Sequence, residues 1–296
     1  MVIKEVYDNR LGTDGLFSIA ACTSCGIEQT IPTLSPDDLQ KLYERHYNDG
    51  GENKTPYTSL RAQFLSSLVY RIWILLDGDI SFHGRRGQGR LLDVGCNEGR
   101  GLMFYKRNGF CVEGLEVNRE AATVARSQGF TVYDGPLDDS LGPDQYDVVV
   151  LSNVLEHSTD PEDLLACVCK ILKPGGEVWI SCPNSSSWLR KAFPKSWINW
   201  HVPFHVIHLS RSTLGNLLSR QGFVVTEIKE ETPALWAAQS VIAALFARRG
   251  QKTQLLRNPL LVSMLMAVFR GMLFPLLWCG NRLGRGDCLV VTARKI

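Results

Sequence analysis

Two acidic residues and a glycine-rich turn stand at a spacing that suits the binding of a nucleoside. Residues 91–101 read as an apolar strand with Asp93 near its end, followed by a turn and the start of a helix. Three glycines punctuate that turn, namely Gly95, Gly99 and Gly101. Glycine lets a ligand approach the backbone closely, and a helix N-terminus directs N–H groups toward it. Glu116 ends the next predicted strand, where a carboxylate can accept hydrogen bonds from both hydroxyls of a ribose.

The spacing of these glycines argues against two common nucleotide sites. They follow G-x-x-x-G-x-G rather than the G-x-G-x-x-G of a dinucleotide fold. The turn also lacks the Lys and Ser/Thr of a phosphate loop. A nicotinamide oxidoreductase, a flavoprotein and a nucleoside triphosphatase are therefore disfavoured.

The elements that must position these residues alternate between strand and helix. Stretches that bear strands lie at 91–101, 111–118, 130–139, 146–157, 171–184, 223–231 and 287–296. This order predicts an α/β fold with a doubly wound, seven-stranded, mostly parallel sheet. The core then comprises residues 58–232 and the last strand, 287–296, preceded by an N-terminal extension, 1–57, and interrupted by a helical insertion, 233–286.

The glycine turn, Glu116 and the run YDVVVLSNVLEH at 146–157 resemble the motifs of class I S-adenosylmethionine-dependent methyltransferases. The resemblance implies a Rossmann-like core with S-adenosyl-L-methionine as its cofactor. It assigns cofactor binding to eight residues, namely Asp93, Gly95, Cys96, Asn97, Gly99, Glu116, Leu137 and Asn153. The sequence departs from the family at Pro136, where a polar side chain often packs on the adenine, so apolar packing by Leu137 is expected instead.

Two histidines are the predicted catalytic residues, His157 and His205. Methyl transfer from a sulfonium is an in-line displacement, and the protein mainly aligns and desolvates the reactants. A base is needed only where the acceptor must lose a proton, and histidine titrates near neutral pH. His157 follows the fourth predicted strand, with Glu156 beside it, and His205 matches the His of a Pro-x-His stretch in similar methyltransferases.

Two groups of metal-ligating residues lead to no predicted metal. His201, His205 and His208 are four and three residues apart with no carboxylate among them, and ordinary loop hydrogen bonds are the alternative for each. Cys22 and Cys25 form a C-x-x-C pair, but a zinc ribbon needs a second pair, which the sequence lacks.

The residues before the glycine turn predict two helices. A short helix is expected at 35–47, with Ser35 as its N-cap. An amphipathic helix is expected at 58–76, with Leu60, Phe64, Leu68 and Ile72 at helical spacing. The second helix is expected to lead toward the core.

Residues 233–286 are both apolar and basic. They hold seven Lys or Arg and no Asp or Glu, so the segment is +7 in a chain of net charge +2, which leaves −5 elsewhere. Thr232 and Pro233 are expected to open a helix at 234–246, and the run 260–278 approaches the ~20 residues of a membrane span. Arg270 within that run, and the return of the chain to the same sheet, argue against a span. A helical pair on an anionic membrane surface, or a lid or homodimer face, are the alternatives.

Composition and resemblance together favour an enzyme that acts on a small molecule. The net charge gives no case for nucleic acid, and nine Cys without a signal-peptide pattern predict a cytoplasmic protein, peripheral on the membrane face if the insertion binds lipid. The extension and the Pro-x-His stretch resemble methyltransferases of quinone and surface-polysaccharide pathways. We predict methyl transfer to oxygen of a small or lipid-linked acceptor, a sugar or an isoprenoid-linked ring. A non-catalytic cofactor-binding scaffold or regulatory subunit is the alternative.

Overall fold

The computed structural model describes residues 2–35, 38, 39, 41, 42, 64 and 67–296. Its strands are β1 (Ile3–Val6), β2 (Phe17–Ala21), β3 (Glu28–Ile31), β4 (Arg90–Val94), β5 (Cys111–Glu116), β6 (Thr131–Asp134), β7 (Tyr146–Ser152), β8 (Leu172–Pro183), β9 (Ile207–His208), β10 (Phe223–Glu231) and β11 (Cys288–Lys295). Its α-helices are α1 (Leu68–Asp77), α2 (Arg100–Arg107), α3 (Arg119–Ser127), α4 (Pro161–Ile171), α5 (Trp188–Ala192), α6 (Arg211–Arg220), α7 (Ala234–Phe246), α8 (Pro259–Gly271) and α9 (Phe274–Arg282).

Seven strands form one sheet in the order β10-β11-β8-β7-β4-β5-β6. The strands β4 to β8 run parallel, whereas β11 lies antiparallel between β8 and β10. The strand order reverses between β4 and β7, so the carboxyl ends of both strands open onto one crevice, where ligands bind in such sheets. The predicted doubly wound, mostly parallel, seven-stranded fold is confirmed.

Helices cover both faces of this sheet because neighbouring residues of each strand point to opposite sides. On β4, Leu92 packs with α4 and α6 in one core cluster, while Leu91 packs with α2 and α3 in the other. Both leucines are fully buried. A strand buried on both faces reads as a continuous apolar run, which is the pattern of the core strands here.

A small antiparallel sheet joins the N-terminal extension to the core. Its order is β1-β2-β3-β9, and β9 comes from the histidine-rich loop after β8. The pairing sets Glu28 of β3 opposite His208 of β9. Cys22 and Cys25 lie in the turn between β2 and β3, where the backbone N–H of Cys22 donates to the carbonyl of Ile27 at 2.8 Å.

The helix before the glycine turn presents a different face from the one expected. In α1 the predicted core residues Leu68 and Ile72 are 75% and 58% exposed, while Tyr70 is buried. Trp73 packs against the cluster formed with the insertion, so the aromatic side of α1 is the buried one.

The backbone N–H of Asp38 donates to the hydroxyl of Ser35, as expected of an N-cap. Most of the rest of the predicted helix 35–47, and Leu60, lie outside the described residues.

The insertion forms α7, α8 and α9. No single helix among the described residues is long and apolar enough to cross a membrane, whereas α8 and α9 pass that test of length and composition together but are bent by 68°. The expected capping of α7 by Thr232 and Pro233 is wrong. Pro233 occupies the N-cap position without a side-chain hydrogen bond, and the carboxylate of Asp77 accepts from the Ala234 N–H at 3.0 Å, because α1 packs against this helix start.

Candidate active site

The glycine turn leaves β4 through three residues with left-handed backbone angles. The φ angles of Gly95, Asn97 and Gly99 are 73°, 50° and 80°, and Gly99 stands immediately before α2. A Cβ added to Gly95 would come within 2.9 Å of the side chain of Val154, which follows β7. The turn therefore packs directly against the segment after β7, and a larger residue than glycine would push the two apart.

Glu116 closes this turn from the end of the neighbouring strand. Its Oε2 accepts from the backbone N–H of Asn97 at 2.7 Å, and its Oε1 accepts from that of Asn118 at 2.9 Å. Asn118 in turn caps α3 by accepting from the N–H groups of Glu120 and Ala121. Each carboxylate oxygen has a further lone pair, so the predicted ribose contact is compatible with this arrangement.

Asp93 lies beside Glu116 in a setting that favours a cationic ligand. Both carboxyls are about 5% exposed, and neither forms a salt bridge within the described part of the chain. Burial, together with the charge of Glu116, raises the pKa of Asp93 from 3.8 to about 8. A Cβ on Gly101 would come within 2.9 Å of Asp93 Oδ2, so a side chain at this position would press on the carboxyl group. A sulfonium cofactor with an ammonium group fits two such acids.

The remaining predicted cofactor residues take different positions. Asn153 has a left-handed φ of 54°, and its N–H donates to the Ser181 carbonyl at 2.9 Å, which fixes the chain at the end of β7. Leu137 is partly buried against the core after β6. The side chain of Cys96 is buried with Leu102 and packs on Gly114, so only its backbone lies on the turn.

A second cluster forms after β7, where Glu156 and His157 meet the histidine-rich loop. The rings of His157 and His205 are 4.7 Å apart between centroids, although 48 positions separate them in the chain. The backbone N–H of Val206 donates to the Glu156 carbonyl at 2.8 Å and holds the loop against this turn. The structure therefore brings the two predicted catalytic histidines together.

Hydrogen bonds orient both histidine rings. Nδ1 of His157 donates to the carbonyl of Phe204 at 2.9 Å, and Nδ1 of His205 donates to that of Asn199 at 2.8 Å. A carbonyl only accepts, so in each neutral ring Nδ1 carries the proton and Nε2 carries the lone pair. Burial lowers the pKa of His157 from 6.5 to about 4 and also lowers that of His205 well below its usual range. Both rings are therefore neutral near pH 7.

His208 is a structural residue and His201 a neighbour of the cluster. The Thr30 hydroxyl donates to the His205 carbonyl at 2.6 Å and accepts from His208 Nε2 at 3.0 Å, which ties the small sheet to the loop. His201 adopts a left-handed φ of 37°, and its ring centroid is 5.0 Å from that of His205. The predicted alternative to metal binding, an ordinary hydrogen bond within a loop, therefore describes His208.

Glu156 is the member of this cluster that the sequence did not single out as catalytic. Its side chain is 2% exposed, and neither carboxylate oxygen has a hydrogen-bond partner in the described structure. Burial raises the pKa of Glu156 from 4.5 to about 8. The signal available in the sequence was its position between the apolar Leu155 and His157, directly after a core strand.

Comparison with known proteins agrees with this geometry. A family model described as methyltransferase domain matches residues 57–228. The ubiquinone biosynthesis O-methyltransferase of Aeromonas salmonicida is 36% identical over 103 residues, which cover 32% of this chain and 43% of that protein. Its counterpart in Pectobacterium atrosepticum is 28% identical over 179 residues, which cover 51% of this chain and 73% of that protein. For several of these curated relatives, the chain spans about half of their length.

A solved structure shares the fold. The Thermotoga maritima protein described as a SAM-dependent methyltransferase, possible histamine N-methyltransferase, superimposes with a TM-score of 0.52 at 18% identity. The superposition covers 87% of this chain and all of that one. The family model spans more than half of the sequence, including the glycine turn, Glu116 and the cluster after β7. The chain thus belongs to the methyltransferase-domain family, with S-adenosyl-L-methionine as its cofactor.

Proposed function

We propose that the protein transfers the methyl group of S-adenosyl-L-methionine to an oxygen atom of a small, lipid-linked acceptor, an isoprenoid-linked ring or a sugar. The bound cofactor supplies an activated methyl group on sulfur. Asp93 and Glu116 hold its charge and ribose, and the turn at Gly95 sets it against the segment after β7. Glu156 and His157 lie on that segment and His205 contacts it from the loop after β8, where an acceptor must meet the methyl group for in-line displacement.

The observation that carries the lipid linkage is an exposed apolar surface on α1, α7, α8 and α9. Leu75 of α1 and Leu260 of α8 are 84% and 82% exposed. The apolar surface consists of Leu68, Val69, Ile72, Leu75, Leu76, Leu245, Phe246, Leu260, Met264, Met272, Leu276, Trp278 and Leu283. A buried ion pair between Asp77 and Arg270 holds α1 against α8. Exposed apolar side chains concentrated on four helices that pack together favour a site of interaction.

Charge favours an anionic lipid surface as the partner. The insertion contains no acid, and Arg248, Arg249 and Arg282 are exposed around the apolar helices. Apolar side chains with basic neighbours suit helices that lie in the headgroup region of an anionic membrane. We therefore propose peripheral binding at the cytoplasmic membrane face, with a homodimer through the same surface as the competing outcome.

Vesicle flotation tests the membrane contact. Full-length protein is expected to float with phosphatidylglycerol vesicles at low salt and to stay behind with phosphatidylcholine vesicles. The double variant R248E/R249E and the variant Leu260→Asp should reduce flotation, whereas Val224→Asp, at a 53% exposed position on β10, should not. Protein that stays in the soluble fraction with both vesicles, or that sediments as a dimer abolished by Leu260→Asp, contradicts the membrane proposal.

Transfer of labelled methyl groups tests the acceptor. Protein and labelled cofactor are incubated with a membrane extract and with a water-soluble extract, and S-adenosylhomocysteine and labelled lipid are measured separately. The proposal expects label in the organic phase and methyl ether in its mass spectrum. His157→Ala and His205→Ala should lower turnover by at least about tenfold while cofactor binding survives. Label only in water-soluble products refutes the lipid linkage, and cofactor binding without turnover supports the scaffold alternative.

A further inference from the structure

The cluster after β7 has the composition of a metal site. Glu156, His157 and His205 each offer one ligand atom, and the three atoms lie within 4.8 Å of one another. The set combines two imidazole nitrogens with one carboxylate oxygen. The histidine spacing in the sequence lacked a carboxylate, and only the approach of the loop to the end of β7 supplies one.

The two histidines are oriented as metal ligands usually are. A metal-ligating histidine commonly donates its second ring N–H to a carbonyl or carboxylate, which fixes the tautomer and the ring plane. The carbonyls of Phe204 and Asn199 have this role for His157 and His205. The Nε2 lone pair of each neutral ring is then the ligating atom.

The buried side chain of Glu156 indicates a bound ion independently of the two histidines. A buried carboxyl group without a hydrogen-bond partner is costly, and each such group in a native fold requires an explanation. Arg10 acts on Glu156 through its charge, and its guanidinium donates to the Ile198 carbonyl at 2.9 Å. Both Glu156 oxygens lack a hydrogen-bond partner in the described structure, so neither is committed to another group and each can serve as a ligand.

We propose that Glu156, His157 and His205 bind one divalent transition-metal ion, with Zn²⁺ as the probe. Imidazole and carboxylate ligands suit Zn²⁺ and Fe²⁺, and three protein ligands leave at least one coordination position open. The cluster lies on the cofactor side of the sheet, because Val154, two residues before Glu156, touches the glycine turn. An ion bound here would therefore lie on the same side of the sheet as the glycine turn.

The site has a role that rests on the proposed function. An acceptor hydroxyl that coordinates the ion loses its proton more readily, as a zinc-bound water does. The proton leaves to solvent, the acceptor oxygen attacks the methyl carbon, and the carbon–sulfur bond breaks. The products are a methyl ether, S-adenosylhomocysteine and one proton. Glu156, His157 and His205 hold the ion that orients the acceptor oxygen.

Metal binding is measured without an acceptor, so it can fail independently of methyl transfer. Chelator-treated full-length protein is titrated with ZnCl₂ by calorimetry, and metal content is measured after dialysis. We expect one equivalent of bound zinc, and Glu156→Gln or His205→Gln should weaken it at least about tenfold. His208→Gln is the matched control, because it replaces a buried loop histidine outside the cluster. Equal zinc binding by all four proteins, or none by the wild type, overturns the proposal.

Cobalt spectroscopy keeps the test decisive where a variant fails to fold. Co²⁺ added to the wild-type protein should produce visible absorption bands typical of four or five nitrogen and oxygen ligands, and excess Zn²⁺ should remove them. Absence of these bands contradicts the site. Stoichiometric metal binding together with no methyl transfer to any extract would retain the site and refute the proposed function. Methyl transfer by metal-free protein at the full rate would refute the role of the ion.

Discussion

The backbone N–H of Asn97 donates to Oε2 of Glu116 at 2.7 Å, joining the glycine turn after β4 to the end of β5. This single bond couples the two motifs on which the cofactor prediction depends. The carboxylate that is expected to face the ribose also holds the turn that is expected to face the rest of the cofactor. Loss of one therefore disturbs the other.

Glu116→Gln should weaken binding of S-adenosyl-L-methionine by at least about tenfold, or about 1.4 kcal/mol. The amide cannot accept on both sides, so an NH₂ group would face the N–H of Asn97 or of Asn118. Calorimetric titration measures the dissociation constant. Glu120→Gln, at an exposed position on the first turn of α3, is the control and should bind like the wild type. Equal affinity of both variants would remove Glu116 from the cofactor site.

Gly95→Ala should lower both stability and cofactor affinity. The new methyl group would lie 2.9 Å from Val154 at a φ of 73°. Gly129→Ala is the matched control, because its φ of 83° is equally unfavourable but open space surrounds the new Cβ. The backbone strain costs about 1 kcal/mol in each, and only Gly95→Ala adds the clash. Thermal unfolding and calorimetry measure the difference, and identical behaviour of the two variants would contradict the close packing of the turn.

The stability of the cofactor-free protein should fall as pH rises from 7 to 8. The folded-state pKa of Asp93 is raised from 3.8 to about 8 and that of Glu156 from 4.5 to about 8. The native state therefore keeps protons that the unfolded chain has lost, so the stability present at low pH is lost as pH approaches 8. The lowered pKa of His157 changes the stability only below about pH 6.5, which lies outside the range from pH 7 to 8.

Scanning calorimetry at pH 7 and 8 measures this slope. Each group contributes up to about 1.4 kcal/mol over one pH unit, so the midpoint should fall by about 5 °C. Asp93→Asn cannot ionise and should show roughly half of that fall. A midpoint that rises between pH 7 and 8, or an unchanged slope in Asp93→Asn, would contradict the raised pKa of this residue.

Asp77→Ala should destabilise the protein by about 3 kcal/mol, because it leaves the Arg270 guanidinium buried without its partner. The two side chains are only 9% and 10% exposed, and Asp77 also accepts from the first N–H of α7. The exposed ion pair between Arg220 and Glu162 provides the comparison, and Glu162→Ala should cost less than about 1 kcal/mol. Urea denaturation monitored by tryptophan fluorescence measures both. Similar losses in the two variants would mean that α1 is not anchored to the insertion.

Local spacing in the sequence was sufficient to predict the glycine turn after β4 and the strand that ends in Glu116. Gly95 and Gly99 adopt left-handed backbone angles, a Cβ on Gly101 would contact Asp93, and Glu116 ends the next strand, so residues within one strand–turn–helix unit and its neighbour determine this geometry. The mostly parallel sheet followed from the alternation of predicted strands and helices along the chain. The positive charge and the apolar runs of the insertion were also apparent from the sequence, because neither depends on tertiary contacts.

Tertiary structure alone decided which distant residues meet. The contact of His205 with His157, and the buried Glu156 beside them, depend on how the loop after β8 folds back onto the end of β7. The orientation of α1 was mispredicted, because its aromatic residues bury against the insertion while Leu68 and Ile72 face outward. The capping of α7 by Asp77 likewise spans 157 positions. Periodicity along a chain identifies which side chains share a face, but the packing partner decides which face is buried.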